Sequence, residues 1–254
     1  AHPENVFKFT ARPVNALEKI AETRNRVFIL IDEIQYAYEP TRFLKYLFDT
    51  YLENLKIIAT GSSAFYMDEK FKDSLAGRKT IFRLNPLSFP EFLEFHERMD
   101  LAEELDELIN REEYKSLKIR NLYEYLESYL IFGGYPAVAL ENDETFKKEK
   151  LLELRDAYVK RDILESGIKN ETEFFNLMTL LASQVGGLVN KNEISNTLGI
   201  HNKTLNNYLH ILQKCFHINL IRSLHSNIRK EITKMPKVFF QDMGLRNALL
   251  RNFN

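Results

Sequence analysis

Cysteine is almost absent from this sequence, in which Cys215 is the only one among 254 residues. A single thiol excludes an intrachain disulfide and a cysteine-based metal site, and it fits a reducing cytoplasm. The apolar neighbours Leu212 and Phe216 predict that this thiol is buried rather than reactive. The four histidines between residues 201 and 225 are too scattered along the sequence to indicate a metal site. We therefore expect a cytoplasmic protein without a cysteine-based or histidine-based metal centre.

Long apolar runs are missing as well. No stretch approaches the ~18 uninterrupted apolar residues of a transmembrane helix. The first four residues, Ala1–Glu4, include neither a basic region nor an apolar run, so we expect no signal peptide. The formal net charge is only −1, so the chain as a whole does not indicate binding to nucleic acid or to membranes. Any such interaction would have to be local.

The first part of the sequence has the pattern of strand, helix and strand. Apolar runs at 27–31 and 55–60 predict two strands that are buried on both faces of a parallel sheet. Between them, apolar residues at helical spacing predict a helix over about 41–53. This order is a βαβ unit, which implies a three-layer α/β domain. We also predict a helix at 15–23 and a third short strand at 79–84.

From Pro86 onward the pattern predicts helices. The segment Gly133–Pro136 interrupts them, and a long helix follows over about 144–165, which Gly167 ends. The segment 91–113 contains ten Asp and Glu residues and two Arg residues. A charge run of this kind is typical of a solvated helical surface.

The next part of the sequence has helix-turn-helix spacing. Three successive helices are predicted at 171–187, about 190–198 and about 202–216. The last two are joined at Gly199 and Ile200, a short turn with glycine that is typical of this motif. A strand at 218–224 would be the first wing strand. A further strand is predicted at 237–241, where it enters a helix at 242–244.

Two adjacent carboxylates, Asp32 and Glu33, directly follow the first predicted strand. Ligands of parallel sheets bind outside the carboxyl ends of the strands, and paired acids there are costly to desolvate unless a cation uses them. The arrangement matches a Walker B element. Asp32 would hold Mg²⁺ through its water shell, and Glu33 would orient the water that attacks the γ-phosphate. The alternative is a strand-end turn with solvated acids.

Polar residues also follow the second predicted strand, which ends in Thr60–Ser63. Ser62 or Ser63 could hydrogen-bond near the attacking water and serve as a polar sensor, because a hydroxyl both donates and accepts. The alternative is a capped turn that opens a helix after Ser63.

An ordered set of short motifs runs along nearly the whole chain. They are Phe28–Gln35, Ala59–Ala64, Leu75–Arg78, Leu84–Phe92, Phe132–Pro136, Lys160–Ile163 and Pro236–Leu245. In this order and spacing the sequence resembles the prokaryotic AAA-type ATPases that join an ATPase core to a winged helix and a restriction-nuclease-like C-terminal domain. The resemblance implies an α/β plus α fold, with an incomplete P-loop NTPase parallel sheet and flanking helices, followed by a helical region and a winged helix.

The resemblance also implies roles for single residues. The acids at 32 and 33 are the Walker B pair, with Asp32 as the metal ligand, and a serine at 62–63 is the sensor. Arg78 is a candidate γ-phosphate-sensing or finger arginine, and its alternative is a structural salt bridge. Arg161 would reach the nucleotide from a helical lid, or its motif would only hold the lid through an ion pair.

One part of the family pattern is absent from this sequence. These ATPases carry a Gly-x-x-x-x-Gly-Lys-Ser/Thr loop whose amides and lysine bind the phosphates. None of the nine glycines here is followed by lysine. The chain therefore looks truncated, with ATP and Mg²⁺ as cofactors of the parent protein and neither expected to bind tightly to this chain alone. We predict that the chain alone does not hydrolyse ATP.

Positive charge is concentrated in residues 190–237, which contain eight Lys and Arg residues and two glutamates. The outer face of the helix predicted at 202–216 carries Lys203, Asn206, Asn207 and His210. Such side chains suit the base edges and phosphates of duplex DNA. Arg229 and Lys230 could bind backbone phosphates from the wing. The alternative is that this module packs against the ATPase core or a partner protein.

These observations divide the chain into four predicted parts. They are a partial AAA-type core without the P-loop (1–95), a helical lid or linker region (96–168), a winged-helix module (169–235) and the start of a truncated C-terminal domain (236–254). The leading hypothesis is a fragment of an ATP-dependent switch coupled to the winged helix. The alternative is a DNA-binding or protein-interaction protein whose α/β domain is a scaffold. Nuclease activity rests on family analogy alone. Duplex DNA and a second copy of the chain are candidate partners, and a membrane is not.

Overall fold

The structure is a computed structural model that describes residues 27–51, 55–61, 75, 77–224 and 227–254, without the side chains of residues 228, 230 and 232. The chain divides into two compact units, Ala1–Arg83 and Leu84–Asn254, each considered by itself below. The helix predicted at 15–23 lies outside the described residues. Within them the protein is mixed α/β, mostly helical, with two small sheets.

The N-terminal unit contains a βαβ element. Its parts are β1 (Val27–Ile31), a short 3-10 turn (Ile34–Tyr36), α1 (Pro40–Tyr51) and β2 (Leu55–Ala59). The two strands pair in parallel along their whole length, from Val27 opposite Leu55 to Ile31 opposite Ala59. Leu47 of α1 and Leu55 are buried and pack against Val27 and Ile29, which holds the helix on the sheet. The predicted order of strand, helix and strand is confirmed.

One face of this small sheet is exposed. Phe28 and Leu30 are 62% and 76% exposed, whereas α1 packs against the opposite face. The prediction that both faces are buried is therefore wrong for the described sheet. The strand predicted at 79–84 is also wrong, because these residues form no strand. Apolar composition alone does not make a strand, because a strand must also join a hydrogen-bonded ladder.

The first half of the C-terminal unit is helical. Its elements are α2 (Phe89–Phe95), α3 (Met99–Asn110), α4 (Ile119–Phe132), α5 (Pro136–Ala139) and α6 (Glu144–Ser166). Local signals start and end these helices. Glu91 accepts hydrogen bonds from the amide and hydroxyl of Ser88 at 2.8 and 2.7 Å, which caps α2. Asp143 caps the start of α6, and Gly167 ends it in the left-handed region, as predicted.

The second half adds three helices and a small sheet. Its elements are α7 (Glu171–Ser183), α8 (Lys191–Leu198), α9 (Asn202–Lys214), β3 (Ile218–Ile221), α10 (Ile228–Thr233), β4 (Lys237–Phe240) and α11 (Met243–Leu250). β3 and β4 are antiparallel, and Leu188 forms an isolated bridge with Lys237. The helix predicted at 171–187 ends at Ser183, before Gly186 and Gly187. The predicted wing strand ends at 221, and α10 follows, which the sequence pattern did not predict.

Helix α11 is held by side chains from its neighbours. It packs against α4, α6 and α7. Asn247 donates to two carbonyls in the last turns of α4 at 3.0 and 2.8 Å. Arg155 of α6 donates to the carbonyl of Ala248 at 3.0 Å. Residues 236–254 thus belong to the same compact unit as the preceding helices, and the four-part domain division stays a prediction.

The sequence motifs around Gly133 and around Asp242 meet where α4 ends and α11 begins. We call this region the glycine joint and define it by Gly133, Gly134, Asp242 and Gly244. Asp242 accepts hydrogen bonds from the amides of Gly134 and Leu245 at 2.7 and 2.8 Å. A Cβ on Gly244 would lie 2.1 Å from the carbonyl oxygen of Phe132, so only glycine fits there. Burial raises the pKa of Asp242 to about 6, although the amide donors act in the opposite direction. The two motifs therefore have a packing role.

Candidate functional site

The ends of β1 and β2 meet at one edge of the sheet. Because the strands pair up to their last residues, Asp32 and Thr60 follow them at the same edge. The amide of Thr60 donates to the carbonyl of Ile31 at 2.8 Å, and the amide of Ile34 donates to the carbonyl of Thr60 at 2.9 Å. The turn that contains the two acids is therefore hydrogen-bonded to the end of the neighbouring strand.

The side chain of Thr60 contacts the first of the two acids. Its hydroxyl donates a hydrogen bond to Oδ1 of Asp32, and both residues are exposed to solvent. A hydroxyl thus lies beside a solvated carboxylate, in the place where the sequence predicted a polar sensor. The predicted sensors Ser62 and Ser63 lie outside the described residues. Thr60 was not among the predicted site residues, although the register of the two strands places it opposite Asp32.

Glu33 has an unusual backbone conformation. Its φ and ψ are 50° and 51°, in the left-handed region, which costs a residue with a side chain roughly 1–2 kcal/mol. Its carboxylate accepts a hydrogen bond from Nε2 of Gln35, which is buried. Strained residues that the surrounding structure holds in place are typical of functional sites. Gln35 therefore orients Glu33, a role that the sequence analysis did not assign.

The donor atoms at this edge suit one particular class of metal. Carboxylate and hydroxyl oxygens of Asp32, Glu33 and Thr60 are hard ligands, and Mg²⁺ is commonly bound through one or two carboxylates and several waters. In the described part of the chain, no cluster of three or more His, Cys, Asp or Glu residues could hold a metal by itself. These oxygen donors are of the class that suits hydrated Mg²⁺ rather than a soft metal.

Arg78 is engaged in an ion pair. Its Nε donates to Oδ1 of Asp49 in α1 at 2.8 Å, and both side chains are partly exposed. This contact is the structural alternative that the sequence left open. Within the described residues Arg78 forms no hydrogen bond or ion pair with Asp32 or Glu33. An ion pair at this exposure is worth about 1 kcal/mol or less, so it does not prevent Arg78 from changing partner, and its finger role stays a prediction.

Arg161 and Asp162 of α6 have different surroundings. The guanidinium of Arg161 lies 5.0 Å from the ring centre of Tyr158, and its Nε is buried without a hydrogen-bond partner among the described residues. Asp162 is buried and hydrogen-bonded to Nε2 of His217, just before β3. Burial and the nearby Asp162 raise the pKa of the Cys215 thiol, which disfavours the thiolate form. Asp162 is thus a structural residue that pairs with His217.

The outer side of α9 is polar and exposed. The predicted surface residues Lys203, Asn206, Asn207 and His210 are all exposed. The opposite side is buried through Leu205, Leu209 and Leu212. Arg229 of α10 is exposed, and the side chain of Lys230 lies outside the described residues. This face presents donors and positive charge to solvent.

Two family models match the chain. Residues 123–254, more than half of the chain, match a domain of unknown function (DUF8612). Residues 3–93 match an AAA domain, which supports an AAA-type ATPase family. The first match contains the glycine joint and α9, and the second contains the Asp32–Glu33 turn. No solved structure matches the chain significantly.

Several curated proteins are similar along most of the chain. An uncharacterized protein of Haemophilus influenzae is 30% identical over 235 residues, which cover 90% of this chain and 54% of that protein. Two uncharacterized proteins of Methanocaldococcus jannaschii are 28% and 30% identical and align with 87% and 88% of this chain. The alignments cover 48% of each of those two proteins. The chain thus spans about half the length of the curated relatives it matches.

The sequence predicts no transmembrane helix. Among the helices that the structure describes, none has the length and apolar character needed to cross a bilayer.

Proposed function

We propose a function from the premise that this chain belongs to the DUF8612 domain family and carries an AAA domain ahead of that domain. In this proposal the N-terminal unit supplies the magnesium-and-water side of an ATPase site. The observation that carries the proposal is the hydrogen bond between Thr60 and Asp32 at the shared edge of two parallel strands. The chain is an ATPase-like fragment that is not hydrolytically competent alone.

Each residue at this edge has one task. Mg²⁺, when bound with ATP, neutralises the charge that develops on the phosphates. Asp32 would hold the ion through its water shell, and the Thr60 hydroxyl holds the Asp32 carboxylate in place. Glu33 orients and polarises the attacking water, and Gln35 keeps the Glu33 carboxylate directed to it.

The remaining predicted residues complete the site. Ser62 or Ser63 acts as the polar sensor. Arg78 moves from Asp49 to the γ-phosphate, and Arg161 is the second proposed nucleotide-binding residue. The phosphate-binding amides and lysine of a P-loop are not encoded in this sequence. The two acids at 32 and 33 alone repel a triphosphate, and we therefore expect no ATP turnover by this chain.

The test is ATP turnover by the full-length gene product and by the 254-residue chain. Glu33→Gln in the full-length protein lowers kcat about 100-fold or more, because it removes the group that polarises water, while ATP binding is retained. Glu39→Gln is the matched control, since Glu39 is an exposed acid paired only with Arg42 in the described structure. Turnover of Glu33→Gln at the wild-type rate contradicts the role of Glu33. Magnesium-dependent turnover by the 254-residue chain contradicts the claim that it is an incomplete site.

The C-terminal unit is the responding part in this proposal, with ATP state as the switch. Support for a winged helix comes from the order of α7, α8, α9, β3 and β4 and from the bridge between Leu188 and Lys237. Amide hydrogen exchange of α9 in the full-length protein, with and without ATP, tests the coupling. We expect a nucleotide-dependent change in protection, and identical exchange in both states contradicts the switch.

Duplex DNA binding is a second candidate function of the C-terminal unit. The observation that favours it is the exposed row of amides and positive charges on α9 and the elements around it, in a chain whose net charge is −1. Packing against a partner protein or a second copy of the chain is the alternative. A cytoplasmic location is also part of the proposal, in keeping with the single cysteine of the sequence.

A further inference from the structure

A cleft of about 620 Å³ lies between α8, α9 and the segment that joins β3 to β4. We call it the basic cleft and define it by Lys191, Asn206, His210, Gln213, Arg222 and Lys234, all of which line it. Its floor is apolar and includes the buried residues Val189 and Leu209. No acidic residue is among the described residues that line it. The cleft is therefore a positive concavity with polar walls.

The cleft divides the polar face of α9 into two rows. Asn206, His210 and Gln213 recur at helical spacing and line the cleft, whereas Lys203 and Asn207 do not line it. One DNA-binding face was predicted from Lys203, Asn206, Asn207 and His210. In the structure they belong to an inner row inside the cleft and an outer row beside it.

Basic side chains from three different parts of the fold line the cleft. Lys191 begins α8, Arg222 directly follows β3, and Lys234 follows α10. The Nζ of Lys191 donates to Oδ1 of Asn206 at 2.6 Å, which joins α8 to the inner row and uses one of the three ammonium protons. Helix α8 is also hydrogen-bonded to α9, because the side chain of Asn202 forms hydrogen bonds with Ser195 and Asn192 at 2.8 and 3.1 Å. The walls of the cleft are thus held in place by hydrogen bonds.

The positive surface continues beyond the cleft. Lys203 of the outer row, Arg229 of α10 and Lys237 of β4 are exposed on the same module. A single small anion would occupy the cleft and leave these residues unused. A polymer with regularly spaced phosphates would use both groups of charges, because each phosphate needs only one cation near it. The distribution of charge therefore favours a nucleic-acid backbone over a free anion.

We infer that the basic cleft seats the phosphodiester backbone of one strand of duplex DNA. The inference rests on the DNA-binding candidate proposed above and adds the residues that bind the backbone, of which Lys191, Arg222 and Lys234 were not among the predicted site residues. Phosphate contacts position a protein on DNA without reading its sequence. The cleft cations are therefore sequence-independent contacts, and Lys203 and Asn207 of the outer row face the base edges.

The experiment measures duplex binding by fluorescence anisotropy between about 50 and 200 mM salt, with two labelled duplexes of unrelated sequence. Lys234→Gln, Arg222→Gln and the double variant are compared with Lys169→Gln. Lys169 is exposed and lies outside the cleft, so this control removes the same charge. Far-ultraviolet circular dichroism shows whether each variant is folded.

Each cleft variant is expected to reduce the slope of log K against log salt by about 1, and the double variant by about 2, because one phosphate contact is lost per cation. The loss of affinity should be the same for both duplexes. Lys169→Gln should keep the wild-type slope. Lys203→Gln combined with Asn207→Ala should instead change the ratio of the two affinities.

The possible failures are distinguishable. If the wild-type chain binds duplex DNA and the cleft variants keep its slope, the cleft inference is overturned and the DNA-binding candidate survives. If the wild-type chain shows no salt-dependent binding, both are overturned. An equal loss for Lys169→Gln also overturns the inference, because the effect is then one of net charge. Concentration-dependent self-association that Lys234→Gln abolishes, without an effect on DNA, would assign the cleft to an acidic protein surface, such as the 91–113 segment of a second copy.

Discussion

Asp32 and Asp242 both follow a short apolar strand, yet their carboxylates have opposite surroundings. Asp32 is exposed and accepts a hydrogen bond from one hydroxyl, that of Thr60. Asp242 is buried, caps α11 through Leu245 and accepts a bond from the amide of Gly134. The oxygens of Asp242 are occupied by the fold, whereas Asp32 has capacity left for a ligand. An acid after a strand is therefore a functional candidate only when the backbone does not use its oxygens.

The largest effect is expected from a methyl group in the glycine joint. Gly244→Ala places a Cβ 2.1 Å from the carbonyl oxygen of Phe132, a backbone atom that cannot rotate away. We expect a loss of about 3 kcal/mol or more in the free energy of unfolding. Gly77→Ala is the control in the N-terminal unit, where φ is 73° and a Cβ would meet nothing within 4 Å. That change should cost only about 1–2 kcal/mol of backbone strain. Urea unfolding followed by circular dichroism measures both, and equal losses would contradict the packing role of the joint.

Removal of the two carboxylates is the direct test of the comparison. Asp242→Ala should destabilise the C-terminal unit by about 2–3 kcal/mol, because a helix cap is lost and the buried amide of Gly134 has no acceptor. Asp32→Ala should change stability by less than about 0.5 kcal/mol, since its side chain is solvated. Amide hydrogen exchange reports the two units separately. A large destabilisation by Asp32→Ala would mean that this acid is structural as well.

The pH dependence of stability gives a smaller effect. The pKa of Asp242 in the native state is about 6, above its ordinary value of 3.8, so the folded protein binds this proton more tightly than the unfolded chain. Its contribution to stability is therefore full below about pH 4 and is lost as pH rises to about 6, with a size on the order of 2 kcal/mol. The difference in the free energy of unfolding between wild type and Asp242→Asn, measured as a function of pH, isolates this contribution. If the difference is constant over that pH range, Asp242 does not titrate as described.

Elements defined by local signals were predicted well from the sequence. The long helix ends at Gly167 because glycine adopts the left-handed conformation there at little cost. The two strands around α1 followed from short apolar runs with a helical pattern between them. Each of these signals lies within a few residues of its effect. The glycine pair at 186 and 187 was also a local signal for the end of α7, but the predicted helix included both glycines.

Features that depend on distant partners were not predictable in this way. Gly134 and Asp242 are 108 residues apart in the sequence, and nothing near either residue indicates their hydrogen bond. The apolar segment 79–84 has strand-like composition, but a strand also requires a neighbour, which composition does not report. At the candidate site, Asp32 and Glu33 were predicted from the end of a strand. Thr60 was missed because its role depends on the register of the two strands. Gln35 was missed because its role depends on the burial of its amide side chain.

The position of α11 has a consequence for the order of events during synthesis. Helices α4, α6 and α7 leave the ribosome before α11 does, and each of them packs against it. Until α11 is available, those helices expose the apolar surface that it covers, and nascent chains in this state are prone to aggregate or to need a chaperone. The C-terminal unit therefore completes its core only after α11 has been synthesised, and nascent chains that stop before Asp242 should be more sensitive to proteases than chains that include α11.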